Sequence, residues 1–356
     1  MRKLTLCVAL CSLFVISCKG DSNITISVKD VDFKNKPQDV LKGNPFSEVI
    51  GADNIVVFDT LLMVVSSDPK GQLKVYSTNS LKQLGSFCSK GRAKNEFLQA
   101  GVDTEQAFYR NGHVILVMYD VPNVYKEVDV TASLQSGSTV VIDSHECLSL
   151  ADGELMLLGD KYDTRYEFVI NKYGLKKNSR RVPSRYYHYT DGKKKELTFF
   201  NSLMKSEYES KDVPYEGCLF KHPQKNIVVQ SFHRMDYLMF LDFDKDNFFA
   251  IHQKGSLTFG DTFVAEKDPT QVLHFTDGAS SLKYMMFLYR QGDYTLKETE
   301  GKWYPELLIF DWDGNYINGF KIDRGIRTIE YDEIHKVLYG LSGENLFIYE
   351  LGQLIP

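Results

Sequence analysis

Apolar positions along the chain fall in short runs, many of them alternating apolar with polar, and each run ends in a cluster of Asp, Asn, Gly, Ser or Lys. Aromatic and β-branched residues fill the runs, which suits a pleated, half-buried surface and predicts strands. The runs pair across polar turns. Gln72–Tyr76 is followed by Leu84–Cys88, Val124–Val130 by Thr139–Asp143, and Tyr166–Ile170 by Arg180–Pro183. Tyr237–Leu241 then pairs with Phe248–His252, and Leu307–Phe310 with Tyr316–Ile322, while Asn345–Glu350 has no partner after it. Further strands precede each pair, such as Asn54–Phe58 with Leu61–Val65, and His145–Leu150 with Glu154–Leu158.

A repeated unit of roughly four strands is the pattern of a β-propeller, in which neighbouring units bury faces that none could bury alone. The expected fold is therefore all-β, a six-bladed β-propeller with roughly four antiparallel strands per blade. The unpartnered last strand implies that the other end of the chain closes the ring. Asn23–Val28, which alternates with period two, is the expected closing strand. Composition does not shift along the chain and no linker divides it, so residues 23–356 are expected to form one domain. Two segments break the rhythm. Ser184–Tyr215 contains the group Tyr186, Tyr187 and Tyr189, and Gln291–Tyr304 interrupts the fifth unit. Both read as excursions from one face, either binding surface or solvated loops.

The first residues carry a different pattern. Arg2 and Lys3 precede an apolar run from Leu4 to Ile16, too short for a membrane span and shaped like a secretory signal. Val15-Ile16-Ser17-Cys18 resembles the bacterial lipobox, which implies cleavage before Cys18, a lipid on that cysteine and a polar tether over residues 18–22. The protein is then expected at the cell envelope, lipid-anchored in the outer membrane, with either leaflet open. Removing residues 1–17 moves the formal charge from −5 to −7, which disfavours nucleic acid as a partner. The basic run Lys193-Lys194-Lys195 is flanked by Asp191 and Glu196 and reads as a solvated loop. Cys88, Cys147 and Cys218 are too few and too scattered for a disulfide framework; buried thiols or a single bridge are both open.

Three stretches carry a family resemblance: Lys90-Gly91-Arg92-Ala93-Lys94-Asn95-Glu96-Phe97, Leu308 through Asn315, and Tyr331 through Gly340. Together they resemble the TolB-like six-bladed β-propeller lipoproteins of Bacteroidetes. In the first stretch Ala93 and Asn95 replace glycines of the family pattern. The resemblance implies the fold and the envelope setting, and says little about activity.

Linear motifs for chemistry are weak. Asp242, Asp244 and Asp246 open like a calcium loop, but Asn247 replaces the glycine and Gln253 the terminal glutamate, so a hairpin turn is expected. Asp313-Gly314 is a plainer hairpin pair. Gly340-Leu341-Ser342-Gly343 lacks the spacing of a nucleophile elbow. His145-Glu146 lacks a second histidine, and no phosphate-binding glycine loop is present. No catalytic residue, metal ligand or cofactor is named from these motifs. A propeller can still converge one residue per blade on its channel, and Asp53, Asp103, His145, Glu216, Gln271 and Arg327 are the candidates by position. Arg92 and Glu96 join them, with a local ion pair as the plainer reading. The binding residues so named are Arg92, Glu96, His145, Tyr186, Tyr187 and Tyr189. The expected function is a monomeric, non-enzymatic binding or scaffold propeller for an envelope protein or glycan-derived ligand. The alternative is a metal-dependent lactonase or sugar-ester hydrolase with its site at the central channel.

Overall fold

The structure is a computed structural model that describes residues 26–33, 39–49, 51–102, 107–120, 124–146, 155–158, 167–175, 181–190, 193–197, 217–257, 273–290 and 304–355. Three short strands come first: β1 (Ser27–Val31), β2 (Asp39–Leu41) and β3 (Asn44–Phe46). The sheets follow in chain order. β4 (Ala52–Phe58), β5 (Leu61–Ser66), β6 (Leu73–Ser77) and β7 (Gln83–Phe87) form the first. The second holds β8 (Ala100–Gly101), β9 (Ala107–Arg110), β10 (His113–Asp120), β11 (Val124–Asp129), the helix α1 (Val130–Ser136) and β12 (Val141–Glu146). The third is β13 (Leu155–Leu158), β14 (Glu167–Leu175), β15 (Arg181–Thr190) and β16 (Lys193–Leu197), described by backbone and pairing. The fourth is β17 (Leu219–Lys221), β18 (Ile227–Ser231), β19 (Tyr237–Asp242) and β20 (Asn247–Gln253). The fifth is β21 (Phe275–Ser280), β22 (Tyr284–Tyr289), β23 (Glu306–Asp311) and β24 (Tyr316–Ile322), and the last is β25 (Thr328–Asp332), β26 (Val337–Ser342) and β27 (Asn345–Glu350).

Each sheet is an antiparallel meander whose first strand meets the first strand of a neighbour: β13 against β17, β17 against β21, β21 against β25, and β25 against β4. Apolar cores fill the gaps between the described neighbours. Leu73, Phe87 and Phe97 pack with Leu116 and Met118 between the first and second sheets. Phe240 and Ile251 meet Phe287 and Phe310 between the fourth and fifth, and Leu288 and Ile309 meet Ile329 and Leu338 between the fifth and last. Ile55 and Leu62 meet Tyr339 and Leu346 between the first and last sheets. This is a β-propeller of mainly four-stranded antiparallel blades, as the repeated strand pattern predicts.

The N-terminal strands depart from expectation. Of Asn23–Val28, residues 23–25 lie outside the described residues, and the remainder leads into β1, which runs parallel along β20 at the outer edge of the fourth sheet. β2 then lies parallel along β24 of the fifth sheet, and β3 pairs antiparallel with β27 as the fourth strand of the last. Thus the chain lays one strand on the rim of each of three successive sheets, and Asn44–Phe46 takes the place expected for Asn23–Val28. Burial explains the choice. Phe46 joins the core between the last and first sheets. β1 is mostly exposed, with Ile26 just before it buried and Phe33 just after it driven inward, 1% exposed, against Tyr289 and Phe310.

Two other expectations change. Val124 to Asp143 is not a simple hairpin, because α1 fills its turn. Asp129 caps the helix by accepting from the Ala132 N–H, and Gly137 ends it at φ +71°. The partner strand consequently runs on to Glu146, so residues 145 and 146 belong to the second sheet and do not begin the third. Ser184–Tyr215 is no loop excursion in its first part, since β15 and β16 pair across Thr190 and Lys193. The Lys193-Lys194-Lys195 run is therefore on an edge strand, where lysines discourage further strand pairing.

Candidate functional site

Because each sheet starts at its inner strand, the connections divide between two sides. The side on which inner strands begin also receives the link from second to third strand and the link to the next sheet. The strand ends that bound the long links Leu197 to Leu219, Gln253 to Phe275 and Tyr289 to Glu306 all lie on this side. So does the Lys90–Phe97 stretch between β7 and β8. The tight turns at Asp242–Asn247 and Asp311–Asn315, between third and fourth strands, use the other, whereas Ser342–Asn345, between the second and third strands of the last sheet, is on the long-link side.

Those turns are structural. The Asp242 carboxylate accepts from the Asp244 and Lys245 N–H groups, and Asp311 accepts from Asp313 and Asn315. Such side-chain acceptance fixes an Asx turn. Gly314 and Gly343 take the left-handed conformation these turns need, at φ +75° and +58°.

Arg92 is exposed and Glu96 half-buried. Glu96 accepts from the Ala93 N–H at 2.9 Å, fixing the loop through its backbone in place of the expected ion pair with Arg92. A Cβ on Gly91 would sit 1.9 Å from the Glu96 carboxylate, so a larger residue there would push that side chain off its bond to Ala93. Behind the loop, Phe97 is buried under the Lys126 ammonium at 4.4 Å, and Lys126 pairs with Asp120 at 2.8 Å. Asp120 in turn accepts from the Leu98 and Gln99 N–H groups. The family-like stretch is thus a joint between two sheets, with Arg92 at its surface.

The other named residues do not converge. His145 is on β12, the outermost strand of its sheet, opposite Tyr125, which removes it from the channel. Tyr186, Tyr187 and Tyr189 lie on the third strand of the third sheet, near its β15–β16 turn and away from the long links. Asp53 is exposed on β4. Arg327 reaches across sheets, donating to the Gly343 carbonyl at 3.0 Å and the Ala52 carbonyl at 2.7 Å, so it joins the last sheet to the first. Cys18, Asp103, Glu216 and Gln271 lie outside the described residues.

A constellation missed from sequence stands where the fourth and fifth sheets meet, on the side of the long links. Asp236, 5% exposed, accepts from the Tyr289 hydroxyl and, at 2.5 Å, from Ser256 Oγ; His274 Nδ1 lies 2.6 Å from it. Burial, with the adjacent Asp236 charge, pushes the Tyr289 hydroxyl well above the ordinary phenol range, so Tyr289 stays a proton donor. The serine reaches the carboxylate directly and not through the histidine, so this is not a nucleophile–base–acid relay. The His274 N–H donates to the His233 carbonyl at 2.7 Å, and the Arg290 N–H to the His274 carbonyl at 2.7 Å. Cys218 Sγ lies 3.4 Å from His233 Nε2. These residues sit at strand ends far apart in sequence, and only the one-polar-residue-per-strand-start argument could have pointed to them. Among the described residues, no three His, Cys, Asp or Glu side chains are grouped to hold a metal ion.

The fold and this site define an all-β propeller with a polar joint on its long-link side. No protein-family model matches the chain, and no curated protein matches its sequence. Among solved structures, a putative exported protein from Bacteroides fragilis aligns at TM-score 0.51 with 9% identity, covering 91% of this chain and 99% of that one. A protein of unknown function from Bacteroides caccae aligns at 0.42 with 10% identity over 78% and 85%. The β-propeller domain of Cps50 (Swd1) from Myceliophteria thermophila aligns at 0.41 with 10% identity over 89% and 100%. Identity this low speaks to fold alone.

Proposed function

We propose that this chain is a lipid-anchored envelope protein whose propeller is a binding or scaffold module, engaging a protein or glycan-derived partner on the side of its long links. The observation that carries this reading is that the strand ends bounding three long connections all lie on one side of a cross-braced scaffold, since binding surfaces are commonly loops held on rigid sheets. Leu257 and Tyr304, 55% and 57% exposed, lie on that side and offer apolar contact area. The signal-like first residues and the lipobox resemblance at Cys18 support export and anchoring in the outer membrane, and the alignment with an exported Bacteroides protein is in keeping with that setting. We also take the six sheets as six blades of one closed ring, akin to the TolB-like group. The packing of β25 on β4 supports closure at the last joint.

Site-specific photo-crosslinking in intact envelopes tests the reading. A crosslinker at position 257 or 304 is expected to give a discrete adduct, and one at Lys245, on the opposite side, none. Equal adducts from both sides, or from neither, would overturn it. So would lactone or sugar-ester turnover by purified protein carrying a stoichiometric divalent ion. Replacing Cys18 with Ala is expected to move the protein from the membrane to the soluble fraction.

A further inference from the structure

We propose that Cys218 and His233 form a reactive thiol–imidazole pair, a site of covalent modification by thiol–disulfide exchange with low-molecular-weight disulfides. The pair is built by the fold. A Cβ on Gly217 would lie 1.7 Å from the Ser231 carbonyl oxygen, so only glycine lets the chain enter β17 this close to β18. Cys218 is then clamped by its backbone, its carbonyl accepting from the Ser231 N–H at 3.0 Å. His233 follows two residues later and is fixed through its own carbonyl by His274. The 3.4 Å contact between Sγ and Nε2 is hydrogen-bond distance for a sulfur, so the imidazole can take the thiol proton and leave a thiolate. The Thr276 carbonyl, 3.9 Å from Sγ, is the weaker contact. Arg234 and Asp236 follow His233 on the same loop, and His274 and Arg290 of the fifth sheet tie to it through the backbone bonds from His274 to His233 and from Arg290 to His274. The Asp236 carboxylate is occupied by Tyr289, Ser256 and His274.

Cys88 supplies the contrast. It is fully buried, touches Met118 sulfur at 3.9 Å, and burial pushes its thiol up to about 12. Cys218 is half-buried and at the mouth side of the innermost strand.

In the exchange, the Cys218 thiolate attacks one sulfur of the disulfide. A new S–S bond forms, the original S–S bond breaks, and the departing thiolate takes the proton held by His233. Cys218 ends oxidised in a mixed disulfide, and half of the reagent ends reduced as a thiol. This inference does not depend on the binding function above.

The test treats the full-length folded protein with oxidised glutathione across pH and locates adducts by peptide mass spectrometry. Cys218 is expected to be modified with a midpoint below ~8.5, the value of an unassisted thiol, while Cys88 stays unmodified and so reports that the fold is intact. His233→Gln is expected to slow the Cys218 reaction about 10-fold at neutral pH and to move its midpoint to the unassisted value. A wild-type midpoint at the unassisted value, or the same rate and midpoint in both proteins, would overturn the proposal, as would the absence of a Cys218 adduct.

Discussion

Asp236 shows how much of this molecule's order rests on single buried polar groups. Its carboxylate accepts from Tyr289 and Ser256, with His274 Nδ1 2.6 Å away, so truncation strands two donors at a largely buried joint. Asp236→Ala is expected to cost about 2–3 kcal/mol in urea unfolding, whereas Asp53→Ala, at an exposed position, should change little. His222 makes a second residue-scale prediction. Its Nδ1 accepts from the Gln224 and Lys225 N–H groups and its ring packs 4.7 Å from Trp312. A proton on Nδ1 would face two donors. Burial, helped by Lys225, accordingly lowers its pKa to about 4 from 6.5. The unfolded chain then binds more protons between these values, so the contribution is fully present above pH 6.5 and is lost as pH falls toward 4. Its size is on the order of 1–2 kcal/mol after solvent screening. His222→Gln should flatten that part of the pH–stability curve, which unfolding at pH 4.5 and 7 would reveal. Neither role was legible in the sequence. Eight scattered histidines look alike until the turns that hold them are known.

At the scale of elements, strands were the most legible feature because alternation survives without tertiary information. Asn345–Glu350 has the predicted bounds, and Tyr237–Asp242 with Asn247–Gln253 comes within a residue or two. Failures came where a polar stretch was ambiguous. Thr131 to Ser138 reads as a turn, yet the Asp129 cap and Gly137 stop make it a helix of two turns. The Tyr-rich stretch reads as an excursion, yet backbone pairing makes it a strand. Alternation, and a place just after the tether, point to Asn23–Val28 as the closing strand. Asn44-Pro45-Phe46 is too short to alternate visibly, and it was selected by the burial of Phe46 against Tyr76, at 5.8 Å between rings. The helix offers a direct check. Asp129→Ala removes the cap to Ala132 and the contact with His113 at 2.7 Å, and should destabilise by about 1–2 kcal/mol. Phe33→Ala, which empties a pocket between two sheets, should cost about 3–5 kcal/mol by the same measurement.

Over the whole molecule, the repeat predicted a propeller because no single sheet here can bury both its faces. The site stayed hidden for the same reason. Pairing within the fourth sheet brings Cys218, His233 and Asp236 together, and only packing against the fifth sheet adds His274 and Tyr289. The cross-sheet ties share the work: Arg327 joins the last sheet to the first, Asp277 accepts from the Ile329 N–H at 2.7 Å, and Lys126 and Asp120 hold the first joint. The N-terminal strands add an outer strap over three sheets. A lipid at Cys18 would therefore enter beside the fourth sheet, not the last, and tension on the anchor would reach β1 first.

The strap is where the account is most exposed to measurement. Urea unfolding of a chain beginning at Lys19 should be compared with one beginning at Gly51, which lacks β1, β2 and β3. Losing Phe33, Leu41, Phe46 and Val49 from the cores is expected to remove at least ~5 kcal/mol, with loss of a single cooperative transition. An unchanged midpoint and slope would show that the strap holds nothing together, and would contradict the account.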